Sequence, residues 1–261
     1  MDVIDLPSHS LHYRIDGDET DKPWLTFCNS LGTDLHMWDQ QVEELSTSHR
    51  ILRYDRRGHG LSSTPAPPYD LGDLGRDVLA LLDRLQIERT DFCGLSIGGL
   101  TGQWLSVNAG ERIDRLVISA SAARIGTSES WLARADAVQR NGLGALRDAT
   151  ADRWFSPHFQ RAEAETVGTV LDMLTATSVD GYLGCCAALA RADLREELQR
   201  IDNPVLAISG AGDAVCTPAD LEFIASSVRN GRHVTLPGRH IVNVESAEEF
   251  NLYLLKFLNS Q

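Results

Sequence analysis

The chain has 261 residues, with 24 Lys and Arg against 37 Asp and Glu, and its formal net charge is −13. A hydrophobic fraction of 43% is typical of a globular protein, and a chain of this length can bury a core without disulfides or metals. Such an acidic chain binds nucleic acids and anionic membranes poorly, so we expect neither as a partner. No apolar run approaches the ~20 residues that a membrane-spanning helix needs.

The cysteines and the first twenty residues indicate the compartment. Those twenty residues contain neither the basic nor the apolar region of a signal peptide. The five cysteines are an odd number without C-x-x-C spacing, and Cys28 and Cys93 lie in apolar runs, where a reduced thiol packs as a small hydrophobe. We therefore expect a reducing, cytoplasmic location. No zinc-binding spacing is present, and we expect no metal.

In chain order, strand-like runs alternate with helical periodicities. The predicted strands are 12–16, 24–29, 50–55, 90–96, 116–121, 204–209 and 232–237. The predicted helices are 35–45, 70–87, 97–109, 128–141, 143–152, 160–176, 178–190, 218–229 and about 245–258. The alternation predicts an α/β fold in which helices cover both faces of a mostly parallel central sheet.

The strand pattern is interrupted between 123 and 195, where only helices are predicted. We therefore expect an α/β core formed by 1–122 and 196–261, with 123–195 as a helical cap. A cap inserted there would cover the carboxyl ends of the strands, where open α/β sheets bind their ligands.

The most specific motif is Gly94-Leu95-Ser96-Ile97-Gly98, which follows a predicted strand and begins a predicted helix. This is the context of a nucleophile elbow, in which a strained turn exposes the serine hydroxyl above the sheet. The two glycines leave room that a Cβ atom would fill. The motif makes Ser96 the candidate nucleophile, and such a serine needs a neighbouring base.

Three histidines follow Ser96, and His240 is the candidate base because it lies in a loop directly after the last predicted strand. His158 falls in the helical segment, and His233 falls inside a strand. The acid that orients the base is expected after the preceding strand, where Asp213 lies in a glycine-rich turn. Two rival carboxylates are Asp220, in a predicted helix, and Asp202, before the strand.

An oxyanion hole requires two backbone N–H groups. One is expected from Ile97, directly after the nucleophile, and the other from Leu31, in the loop that follows strand 24–29. Both segments begin where a predicted strand ends, so they should meet at one edge of the sheet.

A second motif, at 54–62, contains histidine and several charges (YDRRGHGLS). We interpret it as structural, with Asp55 and Arg57 paired to hold the loop. His59 precedes the nucleophile in the chain and is the weaker candidate for a base.

These motifs resemble those of the α/β-hydrolase superfamily over the whole chain. The segments NSLGTDLHMWDQQ, YDRRGHGLSS, FCGLSIGGLTGQW, RWFSP and CCAALARADLR further resemble the bacterial 3-oxoadipate enol-lactonases of the β-ketoadipate pathway. In the loop after strand 24–29, Asn29-Ser30 stands in place of the usual His-Gly of the superfamily, and Trp38 follows downstream. The resemblance implies a serine hydrolase that opens 3-oxoadipate enol-lactone to 3-oxoadipate without a cofactor.

The implied substrate carries a carboxylate, which an acidic protein must hold with a local cation. Arg134 is the leading candidate, three positions after Trp131, so that both lie on one helix face. The other arginines considered are Arg124, Arg153 and Arg191, and Trp154 and Phe155 are expected in the core of the cap. Alternative activities are those of a carboxylesterase, a perhydrolase or cofactor-free haloperoxidase, or a C–C bond hydrolase. A catalytically inactive binding protein is a more distant alternative.

Overall fold

The computed structural model describes residues 2–17 and 21–260. Its strands are β1 (Asp2–Asp5), β2 (Ser10–Asp16), β3 (Trp24–Cys28), β4 (Arg50–Tyr54), β5 (Thr90–Leu95), β6 (Ile113–Ser119), β7 (Val205–Gly210) and β8 (Gly231–Leu236). Its α-helices are α1 (Asp39–Leu45), α2 (Leu71–Arg84), α3 (Ile97–Asn108), α4 (Ser128–Asn141), α5 (Arg147–Trp154), α6 (Pro157–Ala162), α7 (Ala164–Ala176), α8 (Val179–Arg191), α9 (Pro218–Ser227), α10 (Val242–Glu245) and α11 (Ala247–Leu258).

The eight strands form one sheet in the order β1-β2-β4-β3-β5-β6-β7-β8. Strand β2 pairs antiparallel with β1 and β4, and every later pair is parallel. The carboxyl ends of β3 to β8 therefore lie along one edge of the sheet. Since Leu31, Ser96, Asp213 and His240 each follow one of these strands, the topology brings the candidate residues to that edge.

Two pairs of helices cover opposite faces of the sheet. Phe27 of β3 stacks on Trp38, which in turn contacts Phe250 of α11, and α1 packs on α11. On the other face, α3 packs on β5 and β6 and also contacts α2. The strands between them are almost fully buried, as expected for a parallel sheet covered on both sides.

Five helices, α4 to α8, lie between β6 and β7 in the chain. Helix α8 contacts the loop after β4 closely, because Gly181 and Gly58 pack backbone against backbone with no room for a Cβ atom on either. No single helix among the described residues is long and apolar enough to cross a membrane; α7 and α8 reach that length only as a pair bent by 91°.

The predicted α/β class and mostly parallel sheet are confirmed, with differences in individual elements. The edge strand β1 was not predicted, because its short sequence DVID is largely exposed and lacks a buried apolar run. The predicted helix 160–176 is two helices, which meet at Glu163. The helices predicted at 35–45 and 143–152 each begin as a 3₁₀ helix before the α-helix starts.

Candidate active site

Ser96 lies at the turn from β5 to α3 in a backbone conformation that L-residues rarely adopt, with φ 59° and ψ −120°. The strain predicted from the motif is therefore present. Gly94 and Gly98 permit the turn, since a Cβ atom on Gly94 would overlap the backbone of Gly98, and one on Gly98 would overlap the carbonyl of Cys28. The Ser96 N–H donates to the Ser119 carbonyl at 2.9 Å, which fixes the turn against β6.

A continuous chain of hydrogen bonds connects Ser96, His240 and Asp213. The Nε2 atom of His240 lies 3.0 Å from Ser96 Oγ, and its Nδ1 atom lies 2.8 Å from Asp213 Oδ2. The other carboxylate oxygen of Asp213 accepts the N–H groups of Val215 (2.7 Å) and Cys216 (3.1 Å). The side chains of Ser96, His240 and Asp213 are all buried. Asp213 is thus fixed by backbone donors and can orient the imidazole toward the serine.

The rival residues lie in other environments. His158 is exposed on α6, and His233 Nε2 is hydrogen-bonded to Ser209 Oγ at 2.9 Å. Asp220 caps α9 through Thr217. Asp202 forms an exposed ion pair with Arg229. None of them lines the cavity above Ser96 in the part of the chain that the structure describes.

The two N–H groups expected in the oxyanion hole are unengaged. Neither the Leu31 N–H nor the Ile97 N–H donates to an acceptor among residues 2–17 and 21–260. Leu31 lines the cavity together with Ser96, and Ile97 is the first residue of α3. Because helix N-termini carry partial positive charge, this position favours a developing negative charge.

Arg56 holds the loop that carries Leu31. Its guanidinium is 2% exposed and donates to the carbonyls of Asn29 (2.6 Å) and Ser30 (3.2 Å). The Ser30 carbonyl and the Leu31 N–H belong to one planar peptide unit, so a donor on the carbonyl also directs the N–H. The Asn29 side chain accepts from Trp38 Nε1 and donates to the Tyr54 carbonyl, both at 2.9 Å. These bonds fix Asn29, which stands where the His-Gly pattern has histidine, against β4 and Trp38.

The expected pairing of Asp55 with Arg57 is wrong. Arg57 instead forms a bidentate pair with Asp77, at 2.6 Å for both bonds. Asp55 accepts the N–H groups of Leu35 and Leu61 and pairs with His12 at 2.7 Å. The sequence places Asp55 and Arg57 two positions apart, but the loop turns between them and directs their side chains to different elements.

His59 supports the same loop. Its Nε2 accepts the Gly32 N–H at 3.1 Å and its Nδ1 lies 3.2 Å from the Arg57 carbonyl, which fixes the proton on Nδ1. Burial, and secondarily the charge of Arg56, lower the pKa of His59 to about 3, so the ring stays neutral. This agrees with its interpretation as a structural residue.

A cavity of about 440 Å³ opens above Ser96 and His240. Its outer wall is formed by residues between β6 and β7, including Trp131, Arg134, Arg153, Trp154 and Tyr182. Trp154 was expected only in the core. It is 6% exposed, and that exposed part faces the cavity, while Phe155 is fully buried as expected.

The two guanidinium groups in this wall are hydrogen-bonded by neutral side chains. Arg134 Nε donates to the Tyr182 hydroxyl at 2.7 Å, and its guanidinium lies over the Trp131 ring at 5.9 Å. Arg153 donates to Thr150 Oγ1 at 3.1 Å. Within the described ranges, no carboxylate forms an ion pair with either group. Burial and the neighbouring positive charge of Arg134 lower the pKa of Arg153.

The other two arginines considered lie elsewhere. Arg124 forms an ion pair with Asp193 at 3.6 Å, and Arg191 is exposed at the end of α8. Neither lines the cavity. The sequence did not indicate two residues that support the site, namely Tyr182, which holds Arg134, and Arg56, which holds the loop after β3. Arg56 lies in the motif at 54–62, but only the fold shows that its side chain reaches the loop after β3.

The fold and this site define a class of protein. Residues 23–247 match the family described as "alpha/beta hydrolase fold", and the chain belongs to that family, which confirms the resemblance expected from its motifs.

Within the family, the chain is similar to the enol-lactonases. It is 44% identical to 3-oxoadipate enol-lactonase 2 of Acinetobacter baylyi, over 96% of this chain and 93% of that protein. It is 39% identical to 3-oxoadipate enol-lactonase 1 of the same species, over 99% and 96%. The crystal structure of the enol-lactonase from Burkholderia xenovorans superposes with a TM-score of 0.98 at 42% identity, covering 99% of this chain and 100% of that one.

Proposed function

We propose that the protein hydrolyses 3-oxoadipate enol-lactone to 3-oxoadipate, with Ser96 as nucleophile, His240 as general base and Asp213 as the acid that orients it. The observation that carries the proposal is the unbroken chain from Asp213 through His240 to Ser96 beneath a cavity with two arginines in its wall. The high similarity to enol-lactonases over nearly the full chain supports the choice of substrate.

In the first half of the reaction, Ser96 Oγ attacks the lactone carbonyl and His240 Nε2 takes the hydroxyl proton. The negative charge that forms on the carbonyl oxygen is stabilised by the N–H groups of Leu31 and Ile97. Collapse of this intermediate breaks the ring C–O bond and expels an enolate oxygen, which receives the proton from His240. The product of this half is an acyl-enzyme on Ser96 whose acyl chain carries the enol.

In the second half, His240 takes a proton from water, and the resulting hydroxide attacks the acyl carbon. The same two N–H groups stabilise the second oxyanion. Departure of Ser96 Oγ, which recovers its proton from His240, releases a carboxylic acid that ionises. The enol then tautomerises to the ketone, a step that makes the overall reaction difficult to reverse.

Recognition of the substrate carboxylate falls to Arg134, with Arg153 in the same wall as a second cation. A guanidinium that already donates through Nε to Tyr182 keeps its two terminal nitrogens available for an anion. The Trp131 ring beside it offers a flat apolar surface for the five-membered ring. The segment 123–195, which supplies this wall, serves as the cap over the site.

A direct assay tests the substrate. The purified protein is given the enol-lactone and, separately, phenyl acetate as a neutral ester of similar size. We expect a higher kcat/KM for the enol-lactone, because only this substrate has a carboxylate for the arginine wall. Rapid hydrolysis of phenyl acetate without opening of the lactone would instead indicate a general esterase.

A further inference from the structure

A single carboxylate bonds both the loop 237–241, which carries His240, and the cap. Glu245, at the end of α10, accepts the Arg239 N–H through Oε2 at 2.9 Å. Both of its oxygens also lie 3.2 Å from the Ser156 N–H, at the start of α6. One side chain therefore bonds a neighbour of the candidate base and a residue between β6 and β7 at the same time.

Glu245 is not engaged in an ion pair. Over the described portion of the chain, no Lys, Arg or His side chain pairs with it, and its partners are backbone N–H groups. Its side chain also occupies the space beside Gly238, which has a φ of +102°. A carboxylate bound by backbone donors from two segments holds those segments at a fixed separation.

Further bonds connect the same two segments on both sides of His240. The Ile241 N–H donates to the Trp154 carbonyl at 3.1 Å, and the Arg239 guanidinium donates to the Asp152 carbonyl. The cap segment that receives these bonds also carries Arg153 and Trp154, whose side chains line the cavity. The imidazole and part of the substrate-facing wall are thus held together as one unit.

We propose that Glu245 is a positioning residue that holds His240 over Ser96 and keeps the wall at Arg153 and Trp154 aligned with it. Glu245 does not line the cavity and touches no reacting atom, so it acts through the backbone on either side of His240. The glycine at 238 makes that backbone easy to displace when the carboxylate is lost. The proposal rests on the proposed function for the role of His240.

The test compares Glu245→Gln with Glu248→Gln, a matched change on the exposed face of α11. Glutamine keeps the size of the side chain, but it has one acceptor oxygen instead of two, carries no charge, and directs an NH₂ donor against the N–H of Ser156. The readouts are the rate at which a fluorophosphonate labels Ser96, and kcat and KM for phenyl acetate. Unfolding temperatures are measured in parallel, and Glu245→Asp serves as the conservative variant.

We expect Glu245→Gln to slow labelling and lower kcat for phenyl acetate by about ten-fold or more, because small displacements of a catalytic group are costly. KM should change little, Glu245→Asp should fall between the variant and the wild type, and Glu248→Gln should match the wild type. A Glu245→Gln protein that unfolds at lower temperature but labels at the wild-type rate would show a purely structural role and overturn the proposal. Wild-type protein that the probe never labels would contradict the proposed function itself, and the positioning role with it.

Discussion

Arg56 and Arg134 lie on two sides of the same site and show how the partners of a guanidinium decide its role. Arg56 is buried and donates from its two terminal nitrogens to the Asn29 and Ser30 carbonyls, so it stabilises the loop after β3. Arg134 is half-buried, is held through one nitrogen by Tyr182 and faces the cavity. The first stabilises the protein's own backbone, and the second remains available to a ligand.

Replacing Arg134 with methionine should separate the acidic substrate from neutral ones. Methionine keeps the apolar stem but removes the charge-assisted bond to the carboxylate, a loss of ~1.5–3 kcal/mol, or about ten-fold or more in kcat/KM. Hydrolysis of phenyl acetate should barely change, since that ester has no carboxylate. Steady-state kinetics on both substrates measure the difference.

Arg124→Met is the matched control for this change, because Arg124 pairs with Asp193 outside the cavity. It should leave both substrates unaffected. Equal losses on both substrates in Arg134→Met would point to a distorted cavity wall rather than to lost recognition. No loss on either would exclude Arg134 from binding the carboxylate and move that role to Arg153.

At the scale of elements, β5 leads to the candidate nucleophile at its carboxyl end and has a buried acid at its start. Asp91 is 3% exposed, and burial raises its pKa to about 7, with Arg115 at 3.8 Å opposing the shift and Asp114 adding to it. His49 is 4.0 Å away. Between about pH 3.9, the ordinary value for aspartate, and pH 7, the folded state binds more protons than the unfolded one. The free energy of unfolding due to this group therefore falls as the pH rises through that interval.

Asp91→Asn should remove this dependence. The difference in unfolding temperature between the variant and the wild type should increase in favour of the variant from pH 5 to pH 8. At pH 8 it should reach several degrees, since each pKa unit corresponds to ~1.4 kcal/mol. Thermal unfolding followed by circular dichroism at both pH values measures it. Asp114→Asn, an exposed neighbour paired with Arg89, is the control and should show a much smaller change. An identical pH response in wild type and Asp91→Asn would refute the assignment.

The contact of α8 with the loop after β4 gives a second prediction at this scale. Gly181→Ala places a methyl group against the backbone of Gly58, so α8 must move away and the unfolding temperature should fall by several degrees. Activity should fall too, because Tyr182 on α8 supports Arg134. Differential scanning calorimetry and the lactone assay measure both effects.

Gly168→Ala is the internal comparison. It lies within α7 with open space around it, and alanine there should stabilise the helix by ~0.5–1 kcal/mol. If the two substitutions had the same effect, the close approach of α8 to the loop would not be the determining contact.

The central sheet could be predicted from the sequence, and so could the placement of the candidate residues directly after its strands. Apolar strands and the glycine motif at Ser96 are local signals. Contacts between distant segments could not. Arg56 contacts the loop after β3, Arg57 pairs with Asp77, and Glu245 accepts the Ser156 N–H. Each of these contacts depends on how the loops turn in three dimensions. The edge strand β1 was missed for a different reason, since a mostly exposed strand needs no apolar pattern.

At the scale of the whole molecule, the protein is acidic, but Arg134 and Arg153 make one wall of its cavity positively charged. The net charge of −13 opposes an anionic ligand at long range, but salt screens this beyond ~8–10 Å. Arg134 and Arg153 in the cavity wall have no carboxylate partner among the described residues, so we expect recognition of an anionic ligand to be local. The sheet supplies the hydrogen-bonded chain at Ser96, and the helices between β6 and β7 supply the charge.

The most direct test of this account is to react the protein with a fluorophosphonate, locate the adduct by peptide mass spectrometry, and follow lactone hydrolysis as the adduct forms. We expect one adduct per chain, on Ser96, with activity lost in proportion to labelling, and neither adduct nor hydrolysis in a folded Ser96→Ala variant. Loss of a triad nucleophile typically costs about 10⁶-fold in kcat. An adduct on another residue, or a fully labelled protein that still opens the lactone, would contradict the account.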